Sequence, residues 1–205
     1  MGPTNSEEIK AFSSGYRTVA GIDEVGRGSI AGPVVAAAVV LTEDLNFLWM
    51  CKVRDSKKLT PLSREKIFNE IEESNIDFGI GIISPAEVDT LGIVRATKNA
   101  MIQAISNLAV RPDFLLIDAV PLSEVEIPGK AIIKGDEKCL SIAAASIVAK
   151  VSRDRIMVDE GNKFPEYGFE KHKGYLTPLH RQNLDVHGAC QIHRMSFYPL
   201  TSYKI

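Results

Sequence analysis

The chain lacks several features that would assign it to a class at once. Its 205 residues include only three cysteines, an odd number, and none of them forms a Cys-x-x-Cys pair. A disulfide framework or a paired-cysteine zinc site is therefore not expected, and a reducing compartment fits better. No apolar run reaches membrane-spanning length, and the first fifteen residues lack the apolar core of a secretory signal. We therefore expect a cytoplasmic protein without a membrane partner.

The chain also lacks a strong excess of charge of either sign. Lys and Arg number 24 against 26 Asp and Glu, which gives a formal net charge of −2. This balance disfavours a protein that coats nucleic acid non-specifically, although it allows a local basic groove. Because no repeat or low-complexity tract divides the chain, we expect one domain over residues 18–205 after a flexible N-terminal tail over residues 1–17.

Short apolar runs alternate with amphipathic segments. Strands are predicted over residues 19–25, 33–41, 77–83, 113–118 and 131–134. Helices are predicted over residues 62–73, 85–108 with a break near Gly92, and 139–157. The run over 113–118 is almost wholly apolar, which is typical of a central strand covered on both faces. This alternation predicts an α/β domain with a mixed sheet.

Four acids lie at the ends of predicted strands. Asp23 and Glu24 end the first strand, Asp118 ends the central strand, and Asp136 follows the last short strand. Sites in α/β sheets gather at the ends of adjacent strands, and carboxylate oxygens suit hard divalent cations. We predict that these acids converge on a pair of metal ions of the kind that cleaves phosphodiesters. The alternative is that each acid only solvates a turn.

The adjacency of Asp23 and Glu24 sets a geometric condition. Neighbouring residues on a regular strand point to opposite faces, so both acids reach one site only if the strand twists or ends between them. Gly26 and Gly28 favour such an ending and would let a backbone approach a ligand closely, and Arg27 between them can meet a phosphate.

Basic residues and histidines elsewhere leave alternatives open. Lys57 and Lys58 lie in a predicted loop, where they either hold backbone phosphates or form a solvated pair. Arg153 with Asp154 is either a local ion pair or a support for the metal ligands. Four histidines crowd the C-terminal part without an His-x-x-x-His spacing, and surface or structural roles are predicted for them: His172, His180, His187 and His193.

A series of motifs, in order along the chain, resembles the type 2 ribonuclease H family, and within it bacterial ribonuclease HII. The motifs are Ala20–Gly28, Ala31–Val35, Arg54–Leu59, Leu116–Asp118, Lys134–Asp136, Ser141–Asp154, His172–Tyr175 and His193–Phe197. The sister enzyme, ribonuclease HIII, usually has lysine where this chain has Arg27. The resemblance implies a ribonuclease H-like fold, with a central mixed five-stranded sheet flanked by helices and a helical C-terminal part.

The resemblance also implies an activity and a cofactor. The expected activity is hydrolysis of RNA in RNA/DNA hybrids and cleavage on the 5′ side of single ribonucleotides embedded in duplex DNA. The expected products carry a 3′-hydroxyl and a 5′-phosphate, and the role would be ribonucleotide removal in DNA repair and replication. Mn²⁺ or Mg²⁺ would be the cofactor, and we expect a monomer.

Individual residues match the motifs of the family. The resemblance implies that the metal-binding catalytic acids are Asp23, Glu24, Asp118 and Asp136. It implies that Gly26, Arg27 and Gly28 read the ribose 2′-hydroxyl, the group that distinguishes RNA from DNA. Tyr175 matches the tyrosine that packs on the sugar of the next nucleotide, and Lys57 and Lys58 are expected to bind the substrate.

Two other functions stay open at this stage. A junction-resolving nuclease on the same fold would share the acid cluster but would need no reader of the 2′-hydroxyl. A non-catalytic module that binds hybrids is expected to lack one of the four acids, and this chain has all four.

Overall fold

A five-stranded mixed sheet forms the centre of the molecule. The computed structural model describes residues 2–43, 48–53 and 59–202. Within them the strand order is β3-β2-β1-β4-β5. The strands are β1 (Val19–Val25), β2 (Val34–Leu41), β3 (Phe78–Ile83), β4 (Phe114–Asp118) and β5 (Gly129–Ile132). β1 is antiparallel to β2 and parallel to β4, which is parallel to β5. The carboxyl ends of β1, β4 and β5 therefore meet at one end of the sheet.

Helices cover both faces of this sheet. They are α1 (Ser6–Ser13), α2 (Pro61–Glu73), α3 (Pro85–Leu91), α4 (Ile93–Ser106), α5 (Gly135–Lys138), α6 (Leu140–Lys163), α7 (Phe169–His172) and α8 (Pro178–His187). Apolar residues of α3 and α4 pack on one face, and those of α2 and α6 pack on the other. β2 is buried along its whole length, because both its faces are covered. None of the helices in the described ranges is long and apolar enough to span a bilayer.

The sequence predicts most of these elements to within a few residues. Thr60 caps α2 by accepting a hydrogen bond from the Ser63 N–H, with Pro61 at the first helical position. The predicted break at Gly92 separates α3 from α4, because Gly92 adopts a φ of +77°. The last strand lies two residues earlier than predicted, since Lys134 takes a left-handed conformation that turns the chain into α5.

Helix α6 lies directly on the central strand β1. A Cβ atom at Gly21 would overlap the backbone of Ser141, so only glycine allows this close contact. The contact fixes the first turns of α6 beside the carboxyl end of β1, which positions side chains of α6 near the predicted acids.

The N-terminal segment corrects the prediction of a flexible tail over residues 1–17. Residues 6–13 form α1, and Ala11 is buried in an apolar cluster with Val19 and Leu116. Glu8 is fully buried, and its Oε1 accepts hydrogen bonds from the N–H and the hydroxyl of Ser141, at 2.8 and 2.7 Å. The polar composition of the segment concealed this docking, because the residue that anchors it is an acid.

Candidate active site

A pocket of about 420 Å³ opens at the carboxyl ends of β1 and β4. It is lined by Asp23, Glu24, Val25, Arg64, Asp118, Asp136, Ser146, Lys150 and Tyr175. The four acids predicted from the sequence therefore line one pocket, although they come from three separate stretches of chain.

Asp23 and Glu24 reach the pocket without the strand ending between them. β1 continues to Val25, and its pairing with β2 includes both acids. The register with β4, in contrast, runs from Val19 to Ile22. The last three residues of β1 therefore project past the paired part of β4.

Asp118 enters the pocket from the end of the next strand, and Asp136 enters it from the short helix that follows β5. Asp118 ends β4, and its Oδ1 accepts a hydrogen bond of 2.7 Å from the Gly135 N–H. Asp136 lies in α5 rather than directly at a strand end, and it is 5% exposed. This link between Asp118 and Gly135 ties the end of β4 to the short helix that carries Asp136.

The electrostatics of the pocket disfavour negative charge. Burial raises the pKa of Asp23 well above its usual range, and the charges of Glu24 and Asp118 raise it further. Hydrogen bonds from the Ser146 side chain and from the Glu24 N–H, the latter at 2.7 Å, partly oppose this shift in the pKa. Burial also raises the pKa of Glu24, and the positive charge of Arg27 opposes that rise.

These donor groups suit a divalent cation. Oε1 of Glu24 lies 3.2 Å from Nη1 of Arg27, while Oε2 is buried and has no hydrogen-bond partner within the described ranges. An oxygen-only set of ligands with excess negative charge is what Mg²⁺ and Mn²⁺ prefer. Among the described residues, however, no three Asp, Glu, His or Cys side chains are close enough to constitute a finished metal site. Oδ1 of Asp118 accepts a hydrogen bond from the Gly135 N–H, and Oε1 of Glu24 accepts one from Arg27.

Two basic residues of the pocket were not singled out from the sequence. Lys150 lies one helical turn after Ser146 on α6, and this spacing of four could have identified it. Its Nζ is 2.7 Å from Asp154 and 6.0 Å from the ring centre of Tyr175. Arg64 comes from α2, and nothing in the local sequence distinguishes it from other surface arginines.

Arg153 packs against the loop that carries Gly26, Arg27 and Gly28 and supports it. Gly26 adopts a φ of +90°, and a Cβ atom there would overlap the Arg153 side chain. Arg153 is fully buried and donates hydrogen bonds to the Pro33 carbonyl at 2.8 Å and to the Ser29 hydroxyl at 2.7 Å. These hydrogen bonds support the loop, a role that differs from the two considered from the sequence, a local ion pair with Asp154 or a support for the metal ligands.

A second buried arginine, Arg194, also holds the backbone of this loop and of the residues that follow it. It donates to the Gly32 carbonyl at 2.8 and 2.9 Å and to the Arg27 carbonyl at 3.2 Å. Burial and the nearby positive charge of Arg153 lower the pKa of Arg194 to about 10. This role could not be predicted from local sequence, because a buried arginine in a loop cannot be distinguished from an exposed one without the fold.

The remaining predicted substrate residues are placed as follows. Tyr175 lies at the mouth of the pocket, 36% exposed, with the Arg153 guanidinium 5.6 Å from its ring centre. Arg27 is exposed and joins the pocket through its ion pair with Glu24. Lys57 and Lys58 lie outside the described residues.

Comparison with known proteins identifies a single family. The family model described as Ribonuclease HII matches residues 20–199. A protein of Bacillus mycoides named Ribonuclease HII is 52% identical over 193 residues, which cover 94% of this chain and 74% of that protein. The solved ribonuclease H2 of Pyrococcus horikoshii OT3 superposes with a TM-score of 0.76 at 27% identity, covering 90% of this chain and 96% of that one.

A more distant solved structure has the same fold. Bst-RNase HIII, crystallised in complex with Mn²⁺, superposes with a TM-score of 0.68 at 17% identity, covering 96% of this chain and 72% of that one. At this level of identity the similarity concerns the fold alone.

Proposed function

The chain belongs to the ribonuclease HII family, whose members are hydrolytic endonucleases that act on the RNA of RNA/DNA hybrids, and from this premise we propose a more specific reaction. The protein cleaves on the 5′ side of a single ribonucleotide embedded in duplex DNA, and its role is the removal of ribonucleotides during repair and replication. The observation that carries this proposal is one pocket that joins four acids to Tyr175 and, through Arg27, to the glycine-rich loop.

The acids of the pocket are proposed to hold two divalent ions, Mn²⁺ or Mg²⁺. They are Asp23, Glu24, Asp118 and Asp136. When bound, such ions lower the pKa of an attacking water and neutralise charge on the departing 3′-oxygen. The acids themselves orient these ions at the ends of the strands. The proposal is supported by the buried Oε2 of Glu24 and by the crowding of negative charge that raises the pKa of Asp23.

Residues around the acids are proposed to select the ribose. The backbone of Gly26, Arg27 and Gly28 contacts the 2′-hydroxyl, and Tyr175 packs against the sugar of the next nucleotide. Support comes from Gly28, around whose Cβ direction no described atom lies within 4 Å, so that a substrate can approach the backbone there. Both contacts require a rigid loop, and the two buried arginines beneath the loop provide that rigidity.

Basic residues beside the acids are proposed to bind phosphates of the substrate. Arg64 and Lys150 line the pocket and carry positive charge towards a nucleic-acid backbone. Lys57 and Lys58 are proposed for the same role on the resemblance of their motif. Because the formal net charge of the chain is −2, these contacts provide a local basic site rather than a general attraction for nucleic acid.

A cleavage assay with three matched duplexes tests the proposed function. The duplexes share one sequence and contain a single ribonucleotide, a continuous RNA strand, or DNA alone; a branched DNA junction is assayed in parallel. With Mg²⁺ or Mn²⁺ we expect a cut on the 5′ side of the single ribonucleotide, products with 3′-hydroxyl and 5′-phosphate ends, and no cut in DNA alone. Cleavage of the branched DNA would favour a junction-resolving nuclease, and binding without cleavage would favour a non-catalytic module.

A further inference from the structure

Three buried histidines form a cluster beneath Tyr175 that the proposed reaction does not use. His172, His180 and His193 are 8%, 0% and 3% exposed. The rings of His172 and His180 are stacked with their centres 4.2 Å apart, and Nε2 of His180 lies 3.0 Å from Nε2 of His193. The other histidine, His187, is exposed on α8. The cluster is thus distinct in position from the acids and adjoins the residue proposed to contact the sugar.

The hydrogen bonds around the cluster fix the direction of each donor. Nδ1 of His193 accepts from the Cys190 N–H at 2.9 Å, so the proton of this neutral ring is on Nε2. That Nε2–H donates to Nε2 of His180, which leaves the proton of His180 on Nδ1. Nδ1–H of His180 then donates to the carbonyl oxygen of Tyr175 at 2.9 Å. We call this chain from His193 through His180 to the Tyr175 carbonyl the histidine relay.

Burial keeps the relay neutral over the working range of most enzymes. It lowers the pKa of both His180 and His193 to about 4. Each ring can therefore act as one donor and one acceptor, which the direction of the relay requires.

The backbone around Tyr175 needs such support, because it adopts an unusual conformation. Lys173 has a φ of +52°, a left-handed value that is unfavourable for a residue with a side chain. Its carbonyl accepts a hydrogen bond of 2.9 Å from Arg153, and the Gly174 carbonyl accepts one of 2.9 Å from the Ile30 N–H. The Tyr175 carbonyl is held by His180 and by the Thr177 N–H. The relay therefore holds the Tyr175 carbonyl, which lies on the side of the turn that faces α8.

We propose that His180, oriented by His193, is a positioning residue that holds Tyr175 at the mouth of the pocket. The hydrogen bond to the Tyr175 carbonyl fixes the backbone from which the ring projects, and so fixes where the ring meets the substrate sugar. The proposal rests on the sugar contact proposed above for Tyr175. It assigns no contact with substrate to either histidine.

Two amide substitutions at His180 separate its two hydrogen bonds. In His180→Asn the side-chain N–H takes the position of Nδ1 and keeps the bond to the Tyr175 carbonyl. In His180→Gln the amide reaches the position of Nε2 and keeps the contact with His193 instead. Both variants lose the imidazole ring, so they differ chiefly in which bond survives. His187→Asn serves as the control for removal of a histidine from α8.

The first measurement is the position of the Tyr175 ring in the free protein. Tyrosine ring ¹³C resonances are recorded for each variant, and Tyr175→Phe identifies the resonance of Tyr175. We expect this resonance in His180→Asn and His187→Asn to stay close to its wild-type position, and that in His180→Gln to shift and broaden. Because both His180 variants lack the ring, a loss of ring current cannot explain a difference between them. Identical Tyr175 resonances in the two His180 variants would overturn the proposal.

The second measurement is cleavage of the duplex with one ribonucleotide. We expect His180→Gln to lower kcat/KM roughly tenfold, mainly through KM, and His180→Asn to stay within about twofold of wild type. In a Tyr175→Ala background the His180→Gln substitution should have no further effect. A His180→Gln loss of the same size in that background would overturn the proposal, since the histidine would then act without Tyr175.

The two measurements distinguish this proposal from the proposed function. If Tyr175→Ala leaves cleavage unchanged, the sugar contact is wrong, and the resonance of Tyr175 still decides whether His180 positions it. If His180→Gln does not fold, His193→Asn interrupts the relay between the two rings while it keeps the acceptor for the Cys190 N–H. We expect a shift of the Tyr175 resonance in His193→Asn, and an unchanged resonance would overturn the proposal.

Discussion

At the scale of single residues, the pocket concentrates negative charge that the folded protein tolerates poorly. Asp23 is 5% exposed and close enough to Glu24 and Asp118 for their charges to raise its pKa. Strongly shifted pKa values of this kind cluster at functional sites, where groups are arranged for function rather than for stability. We therefore expect the charge of Asp23 to promote cleavage but to lower the stability of the fold.

Replacement of Asp23 by Asn tests this conflict. The amide keeps the shape of the side chain but removes its charge, so cleavage should fall by more than about 100-fold. Because folding raises the pKa of Asp23 above its ordinary value of 3.8, this carboxyl lowers the stability of the fold progressively as pH rises from about 3.8 through the raised pKa. In EDTA at pH 8 we therefore expect the variant to melt at a higher temperature, by about 2–4 °C for each kcal/mol gained. Glu73→Gln, at an exposed position of α2, is the control. A lower melting temperature than wild type would contradict the electrostatic account.

Gly26 and Gly28 allow a test that separates the fold of the loop from its contact with substrate. Gly26→Ala forces a left-handed φ on alanine and pushes its Cβ against Arg153 and within 2.8 Å of the Pro33 carbonyl oxygen, so the free energy of unfolding should fall by more than about 1 kcal/mol. Gly28→Ala meets no described atom within 4 Å, so its unfolding should match wild type while cleavage at a single ribonucleotide falls. Chemical denaturation and cleavage rates measure the two effects. Full activity in Gly28→Ala would show that substrate does not approach this backbone closely.

At the scale of secondary-structure elements, most strands and helices could be predicted, because the signals that specify each one lie within a few residues of one another in the sequence. The apolar run of β2 and the cap and proline at the start of α2 determine their elements through neighbours in sequence. The docking of α1 could not be predicted in this way. It depends on a contact between Glu8 and Ser141, which are far apart in the chain and meet only when β1 and α6 are in place.

The shared pocket of the acids could be anticipated in part. Adjacent parallel strands bring Asp23 and Asp118 to one end of the sheet, so the pattern of acids after apolar runs predicts their proximity. The position of Asp136 in the pocket depends on the left-handed turn at Lys134. The support of the Gly26–Gly28 loop depends on the burial of Arg153 and Arg194. These features require the three-dimensional packing of distant segments, which no local pattern encodes.

The contact between α1 and α6 leads to a prediction about stability and pH. Oε1 of Glu8 accepts two hydrogen bonds at the start of α6, while its Oε2 is buried and without a hydrogen-bond partner in the described part of the chain. Glu8→Ala removes the acceptor from Ser141 and should lower the free energy of unfolding by about 2–3 kcal/mol. Glu8→Gln keeps an acceptor for Ser141 and is the matched variant.

The pH dependence of Glu8→Gln follows from the direction of the pKa shift. Burial raises the pKa of Glu8 in the folded protein above its ordinary value of 4.5. The folded state then holds the proton more tightly, so the wild-type protein loses stability as pH rises from about 4.5 through the raised pKa. Glu8→Gln does not titrate, and its stability relative to wild type should therefore increase from pH 4 to pH 7. Denaturant unfolding at both values checks this, and a constant difference would contradict the raised pKa.

At the scale of the whole molecule, the account depends on the meeting of three separate stretches of chain at one end of a mixed sheet. The parallel course of β1, β4 and β5 brings the acids of β1, β4 and α5 to one end of the sheet. Tyr175 lines the same pocket, and the loop is linked to it through the ion pair of Arg27 with Glu24. With a formal net charge of −2, recognition is expected to come from this local arrangement of groups. The central claim is that the pocket binds divalent cations through Asp23, Glu24, Asp118 and Asp136.

The most direct test of that claim is anomalous X-ray diffraction from crystals soaked in saturating Mn²⁺. The account predicts anomalous peaks in the pocket at about 2.0–2.3 Å from carboxylate oxygens of Asp23 and Asp118, with Glu24 or Asp136 completing the coordination. Mn²⁺ peaks elsewhere on the protein, together with no peak between these acids, would contradict it.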